Sequence, residues 1–203
     1  ESDDVNKVQR NIRIGHQKTV DDVLTWVKED GKIKEKSFCD AGCGVGSLSI
    51  PLAQLGAKSI DLSDISDAMV NETRRRANEI GLDLNKLNFR VSDLENLNGS
   101  YNTVICLDVF IHYQQQDAEE MVDHLCKLSE ERLIVSFAPY TPLLALLKRI
   151  GQFFPGPSKT TRAYTLREKG IIEAANKSGF KVVRSKLNQA PFYFSKLIEF
   201  VKY

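Results

Sequence analysis

Four acidic residues in this sequence have the clearest potential for chemistry. Asp40 lies in "CDAGCGVGS", Asp64 in "LSDIS", Asp93 in "VSDLENL" and Asp108 in "LDVFIHY", and each ends or follows a short apolar run that predicts a strand. Ligands of open parallel sheets bind outside the carboxyl ends of the strands, so four acids there would meet at one site. Each acid alone is most often a cap or turn residue. Together they indicate a ligand whose hydroxyl and amino groups need acceptors and which carries no phosphate.

The glycine loop that follows Asp40 lacks the spacing of a dinucleotide-binding loop. Gly42, Gly44 and Gly46 alternate, which lets the backbone turn tightly and approach a ligand closely. A dinucleotide fold has the pattern G-x-G-x-x-G, whose third glycine would fall at Ser47. Asp64 stands about 20 residues beyond the first glycine, where a ribose-binding carboxylate belongs. The loop and the acids together favour S-adenosylmethionine over NAD as the cofactor.

Predicted strands and helices alternate along the chain and would position these residues. Strands are predicted over 37–41, 59–64, 87–91, 103–107 and 133–137, helices over 18–29, 47–55, 66–80, 119–128 and 166–177, and a closing antiparallel hairpin over 181–187 and 192–201. This alternation predicts a Rossmann-like α/β fold with a seven-stranded, mostly parallel sheet, a C-terminal antiparallel hairpin and helices on both faces. We expect one domain over 1–203, with 1–30 as an N-terminal helical cap and 138–165 as a substrate-binding insertion.

Composition limits the possible functions. The chain has 203 residues, which is long enough to bury one hydrophobic core. Its net charge is +1, so electrostatics gives no reason to expect nucleic-acid binding. No apolar stretch has the length of a membrane span. The cysteines match no zinc-binding spacing, which favours reduced core thiols of an intracellular protein and no metal site. These cysteines are Cys39, Cys43, Cys106 and Cys126.

The motifs "DAGCGVG", "LSDIS", "VSDLENL" and "LDVFIHY" resemble, in order, those of the class I S-adenosylmethionine-dependent methyltransferases. The resemblance implies that the glycine loop cradles the methionine moiety and that Asp40 serves its amino group. It implies that Asp64 takes the ribose hydroxyls, that Ile65 packs against adenine, and that Asp93 and the Leu94 backbone receive the adenine amino group. The candidate cofactor-binding residues are Arg13, Gly15, His16, Asp40, Gly42, Cys43, Gly44, Gly46, Asp64, Ile65, Met69, Ser92, Asp93, Leu94, Leu107, Asp108 and Val109.

Longer segments resemble the magnesium-protoporphyrin O-methyltransferases of chlorophyll biosynthesis. These segments are "RNIRIGHQKTVDDVLTW", "LDVFIHY", "FAPYTPLLALLKRIGQFFPGPSKTTRAY" and "FYFSKLIEFV". The resemblance implies methyl transfer to one propionate of magnesium-protoporphyrin IX, with S-adenosyl-L-homocysteine and the monomethyl ester as products. It also suggests a magnesium chelatase subunit as a partner and a protein that is cytoplasmic or peripheral to photosynthetic membranes, in the chloroplast if eukaryotic. The Asn/Asp-Pro-Pro-aromatic stretch of enzymes that methylate nucleic-acid amino groups is absent, so no nucleic acid is expected as substrate.

A tetrapyrrole substrate needs an aromatic wall and cations for its propionates, and residues 138–165 are rich in both. A surface helix with a solvated basic edge is the alternative interpretation of this segment. The aromatic residues Phe192, Tyr193 and Phe194 are interpreted as sheet core, because strands favour aromatic side chains. The candidate substrate-binding residues are Phe110, Arg149, Phe153, Phe154, Lys159, Arg162 and Tyr164.

A carboxylate acceptor is already ionised at neutral pH, so its methylation needs no strong base. His112 is the first catalytic candidate: it would orient the propionate or remove a proton, or it would only cap the next helix. Tyr113 would assist His112, and His124 is interpreted as structural. Two alternatives stay open: another small-molecule carboxyl or hydroxyl O-methyltransferase, and a non-catalytic methyltransferase-like module that binds tetrapyrroles.

Overall fold

A computed structural model describes residues 2–140 and 164–203, with side chains from residue 7 onward. The strands are β1 (Ser37–Ala41), β2 (Ser59–Asp64), β3 (Leu87–Val91), β4 (Tyr101–Cys106), β5 (Ser129–Phe137), β6 (Phe180–Ala190) and β7 (Tyr193–Lys202). The helices are α1 (Ser2–Glu29), α2 (Ser49–Gln54), α3 (Asp67–Glu79), α4 (Gln115–Leu128) and α5 (Glu168–Lys177). Short 3₁₀ turns lie at Ile33–Glu35, Leu84–Lys86 and Phe110–His112.

The strands form one sheet in the order β3-β2-β1-β4-β5-β7-β6. β1 to β5 pair in parallel, and β7 pairs antiparallel with both β5 and β6. The predicted mostly parallel sheet with a C-terminal hairpin is therefore confirmed. Chain order reverses between β1 and β4, which is the point where open α/β sheets bind their ligands.

Side chains alternate between the two faces of the sheet, so each face has its own core. Val104 and Cys106 pack on the face covered by α4 and α5, while Ile105 packs on the face covered by α1, α2 and α3. All four cysteines are free and buried, as the sequence predicted. None of the helices described is long and apolar enough to cross a bilayer.

Helix α1 departs most from the sequence prediction, because it begins at Ser2 rather than at residue 18. Among the described side chains of residues 7–14, no apolar one is buried, and Ile12 and Ile14 are each more than 40% exposed. Contacts with strand β7 and the end of β4 hold the first half of the helix instead. A Cβ added at Gly15 would stand 2.3 Å from the Tyr193 ring, and His16 bonds to Asp108. Hydrophobic periodicity cannot detect such polar and backbone contacts.

Candidate active site

A cavity of about 530 Å³ opens at the carboxyl edge of the sheet, across the switch point between β1 and β4. Its volume lies in the range of small-molecule sites. Every residue that lines it is one that the sequence patterns and the family resemblance predict for cofactor binding or catalysis. The lining residues are Gly42, Asp64, Ile65, Ser92, Asp93, Leu94, Leu107, Asp108, Val109, His112 and Tyr113.

The glycine loop forms one side of this cavity and depends on its glycines. Gly42 has a φ of +87° and Gly44 a φ of +51°, in the left-handed region that glycine tolerates best. The Gly42 and Cys43 amides both donate to the Ser63 carbonyl at 2.8 Å, which ties the loop to the end of β2. A Cβ at Gly42 would stand 2.2 Å from Cγ2 of Val109, so a side chain there would displace the opposite wall.

Asp64 lies between the glycine loop and the start of α3 with unused acceptor capacity. Its Oδ2 accepts from the Gly44 amide at 3.0 Å, and its Oδ1 accepts from the Ser66 amide at 2.9 Å. A carboxylate offers about four acceptor positions, so each oxygen keeps one for a ligand hydroxyl. The neighbouring Ile65 is 76% exposed, which leaves an apolar surface for a flat ring.

Asp93 presents a second acceptor to the cavity. Its Oδ1 accepts from the Asn96 backbone amide at 3.0 Å and from the Asn96 side chain at 2.7 Å. Within the described part of the chain, Oδ2 has no such donor. Two held carboxylates with spare positions, together with Ser92 and Leu94, fit the hydroxyl and amino donors of S-adenosylmethionine and its apolar ring.

Asp40 lies near the end of β1, does not line the cavity and is 3% exposed. The Ser49 hydroxyl donates to its Oδ2. Burial raises the pKa of this carboxyl to about 6, although the Ser49 bond and the nearby His16 oppose the rise. Asp40 is therefore an acid whose charge changes just below neutral pH, on the strand that leads into the glycine loop.

Asp108 has a different environment from the other acids. Its Oδ2 accepts from His16 Nδ1 at 2.8 Å and from the Tyr193 hydroxyl at 2.7 Å. Its Oδ1 accepts from the Ser136 hydroxyl at 2.7 Å and from the Ser195 hydroxyl at 2.9 Å. Burial opposes its ionisation, but these hydrogen bonds hold the pKa of Asp108 below its ordinary value. The bond to Asp108 raises the pKa of His16, against the effect of burial.

The 3₁₀ turn Phe110–His112 carries one catalytic candidate, His112, to the cavity, and the other, Tyr113, follows it directly. The His112 amide donates to the Val109 carbonyl at 3.1 Å, and His112 and Tyr113 line the cavity. Burial and a hydrogen bond with Glu95 raise the pKa of Tyr113. Phe110, predicted to bind substrate, is fully buried, packs edge-on against Tyr113 and does not line the cavity, so its substrate-binding role stays a prediction. The tight turn rotates its side chain into the core.

The other substrate-binding candidates fall mostly outside the described residues: Arg149, Phe153, Phe154, Lys159 and Arg162. Tyr164 is described, and its amide donates to the Ile111 carbonyl at 2.8 Å. The Tyr140 amide donates to the Leu166 carbonyl at 2.7 Å. The segment 138–165 therefore leaves and rejoins the sheet next to the turn that carries His112.

Sequence reasoning missed the polar residues that hold the acids, namely Ser49, Ser136, Tyr193 and Ser195. It also misjudged the closing aromatic run. Phe192 is 69% exposed in the tight turn between β6 and β7, with a φ of +65°, and Phe194 is 37% exposed. Only Tyr193 is buried, and its hydroxyl serves Asp108 and Thr19 rather than an apolar core.

Comparison with known proteins adds independent evidence. The family model "Magnesium-protoporphyrin IX methyltransferase C-terminus" matches residues 106–202, and the model "Methyltransferase domain" matches residues 38–131. The magnesium-protoporphyrin O-methyltransferase of Synechocystis sp. is 50% identical over 98% of this chain and 86% of its own length. The chloroplastic magnesium protoporphyrin IX methyltransferase of Arabidopsis thaliana is 50% identical, and the chain covers 64% of that protein.

A solved structure agrees with the sequence comparison. The crystal structure of magnesium protoporphyrin IX methyltransferase from Synechocystis PCC 6803 with bound SAH matches 97% of this chain and 87% of its own chain. The TM-score is 0.89 and the sequence identity is 47%.

Proposed function

This chain belongs to the family of magnesium-protoporphyrin IX methyltransferases, and we propose that the cavity at the carboxyl edge of its sheet is the site of methyl transfer. The chain is an S-adenosylmethionine-dependent O-methyltransferase that acts on magnesium-protoporphyrin IX in chlorophyll biosynthesis. One observation supports the location above all others. Asp64 and Asp93, which have spare acceptor positions, open into the same cavity as His112 and Tyr113.

The cofactor half of the site lies along β1, β2 and β3. When bound, S-adenosylmethionine supplies a methyl group that its sulfonium has already activated. Asp64 would accept from the ribose hydroxyls, Asp93 from the adenine amino group, and Ile65 would cover the adenine ring. The glycine loop, with Asp40 beneath it, would hold the methionine end, since the backbone there can approach a ligand without an intervening Cβ.

The other half of the cavity, which would hold the methyl acceptor and is called the acceptor half below, lies after β4. A propionate with a pKa of about 4.3 is ionised at neutral pH, so the chain must orient it rather than deprotonate it. His112 lines the cavity and can donate a hydrogen bond that orients a carboxylate oxygen, with Tyr113 beside it. Orientation of a nucleophile in a closed site is a sufficient source of large rate acceleration.

The segments 138–165 and 1–30 would enclose the substrate. The contact between Tyr164 and Ile111 places the return of segment 138–165 beside the catalytic turn, and the bond between His16 and Asp108 holds α1 against it. A lipophilic substrate would also favour peripheral association with a photosynthetic membrane, and a magnesium chelatase subunit would be a source of substrate. The location would be cytoplasmic or, in a eukaryote, the chloroplast.

Mass spectrometry of the tetrapyrrole tests this proposal. Incubation with S-adenosylmethionine and magnesium-protoporphyrin IX should add one methyl group, with metal-free protoporphyrin as a parallel substrate. At S-adenosylmethionine concentrations well below saturation, the gain should disappear in Asp64→Ala and persist in Asp61→Asn, because Asp61 bonds to Tyr101 and Arg90 away from the cavity. A protein that binds S-adenosylmethionine but methylates no tetrapyrrole would contradict the proposal.

A further inference from the structure

Asp108 has no acceptor capacity left for a ligand, although it follows a strand at the same edge as Asp64. A carboxylate offers about four acceptor positions, and four protein donors occupy those of Asp108. The donors come from three separate elements: His16 from α1, Ser136 from β5, and Tyr193 and Ser195 from β7. The carboxylate therefore joins elements of the protein rather than recognising the cofactor.

The backbone of Asp108 makes the turn that leads to His112. Asp108 has a φ of +59°, a left-handed conformation that costs a non-glycine residue about 1 kcal/mol or more. Such a conformation persists only where the surroundings hold it. The Asp108 amide donates to the Ser136 hydroxyl at 2.9 Å, and that hydroxyl in turn donates to the Asp108 carboxylate. Main chain and side chain are thus held by one partner on β5.

This turn sets the wall of the cavity directly. Val109, the next residue, packs so closely on the glycine loop that a Cβ at Gly42 would stand 2.2 Å from it. The Val109 carbonyl then accepts the His112 amide. A change in the backbone at Asp108 would therefore move the imidazole of His112, whereas the bonds from the Gly42 and Cys43 amides to Ser63 keep the glycine loop in place.

We infer that Asp108 is a positioning residue whose carboxylate fixes the turn bearing His112, and that it makes this turn depend on the docking of α1 and β7. The inference rests on the proposed function, in which His112 acts on the acceptor carboxylate. It separates Asp108 from Asp64 and Asp93 and replaces the cofactor-binding role that the sequence suggested. It also gives helix α1 and the closing hairpin a task in catalysis, because His16 and Tyr193 share one oxygen of Asp108.

Asp108→Asn tests the inference with little change in shape. An amide nitrogen would face two donors, so at least two of the four bonds would be lost. Turnover should fall about 10- to 100-fold, the loss expected when reacting groups are misplaced by up to about 1 Å. Calorimetry should show a dissociation constant for S-adenosylhomocysteine within about threefold of wild type, since the Asp108 carboxylate would not touch the cofactor.

A double-mutant cycle with His112→Ala distinguishes positioning from a general structural role. If Asp108 acts through His112, Asp108→Asn should lower turnover only slightly in a protein that already carries His112→Ala. Such non-additivity would show that the two residues are coupled, although they do not bond to each other. Additive losses in the double variant would overturn the inference. A loss of cofactor affinity that accounts for the loss of turnover would also overturn it. Wild-type turnover in His112→Ala alone would contradict the proposed role of His112 instead.

A pair of serine variants on one strand gives a milder version of the test if Asp108→Asn does not fold. Ser136→Ala removes one donor to Asp108 and should lower turnover with cofactor affinity unchanged. Ser129→Ala is its matched control, because Ser129 is a buried serine of β5 whose hydroxyl donates to the Leu125 carbonyl instead. Equal turnover in the two variants would overturn the inference.

Discussion

The two halves of the cavity use the same residue type in opposite ways. On the β2 and β3 side, Asp64 and Asp93 accept mainly backbone amides, from their own loops and from the glycine loop, and keep acceptor positions open to the cavity. On the β4 side, Asp108 accepts from side chains of three distant elements and keeps none. An acid at the carboxyl end of a parallel strand can thus recognise a ligand or hold elements of the protein together. Its role depends on how many of its acceptor positions are occupied by hydrogen-bond donors of the protein.

The difference also separates local from long-range construction. The cofactor half is assembled from residues close in sequence, such as Asp64 and Ser66, and from the glycine loop, which follows the neighbouring strand β1. The acceptor half exists only when α1, β5 and β7 have all docked around Asp108. We therefore expect variants of the first half to change cofactor affinity and variants of the second half to change turnover.

The largest effect should come from Asp64→Ala. Loss of hydrogen bonds to a charged acceptor costs about 1.5–3 kcal/mol for each bond, so the dissociation constant for S-adenosylhomocysteine should rise at least about 100-fold. Turnover at saturating cofactor should change only a few-fold. Calorimetric titration measures the affinity, with Asp61→Asn as the control that retains it. Unchanged affinity in Asp64→Ala would break the assignment of the cofactor half.

His112→Ala should show the reverse pattern. Turnover should fall about 100-fold or more, in the range found for groups that position or protonate a reacting atom, while cofactor affinity stays near wild type. His124→Gln is the matched control, because His124 lies on α4 away from the cavity. A steady-state assay decides the point. If His112→Ala keeps wild-type turnover, the turn after β4 does not carry the acceptor chemistry.

Asp40→Asn should stabilise the ligand-free protein at neutral pH. The pKa of Asp40 is raised from 3.8 to about 6, so its protonated form favours folding at low pH, and that contribution is lost as pH rises through about 6. A pKa shift of about two units corresponds to about 3 kcal/mol in the free energy of unfolding. The asparagine side chain is neutral at every pH, so the variant should not lose this contribution. In thermal melts from pH 4.5 to 8, the melting temperature of the variant should increase relative to that of wild type as pH rises. Parallel curves would refute the expectation.

His16→Gln should have the smallest effect. The pKa of His16 is raised above 6.5, so its bond to Asp108 stabilises the fold below that pH, and the charged part of this stabilisation is lost as pH rises through the raised value. About a third of the side chain is exposed, which limits the difference to about 1 kcal/mol. The stability gap between wild type and variant, from melts at pH 6 and pH 9, should be larger at pH 6.

Sequence reasoning succeeded where the signal is local. The bounds of β1, β2 and β3 match the predicted runs because each strand is a short apolar segment between turn residues. The lining of the cavity follows from the same logic, since the carboxyl ends of neighbouring parallel strands meet by geometry. The acids, the glycines and His112 were placed at this edge before any coordinates were needed.

It could not succeed where the contacts are distant in sequence. The partners of Asp108 lie 28 to 92 residues away, so no spacing indicates that its carboxylate is fully used. The burial of Phe110 was not predicted, because the 3₁₀ turn that begins at this residue follows no periodic pattern. Tyr193 was interpreted as sheet core because strands favour aromatic side chains. Its ring is buried, but its hydroxyl bonds to Asp108, which no sequence pattern indicates.

One experiment tests the central contrast most directly: Asp64→Asn and Asp108→Asn measured side by side. Each variant is titrated with S-adenosylhomocysteine, and its single-turnover rate of magnesium-protoporphyrin IX methylation is measured at saturating S-adenosylmethionine. We predict that Asp64→Asn weakens the cofactor with a nearly normal rate and that Asp108→Asn slows the rate with nearly normal affinity. Two variants that both lose affinity in proportion to rate would contradict the account.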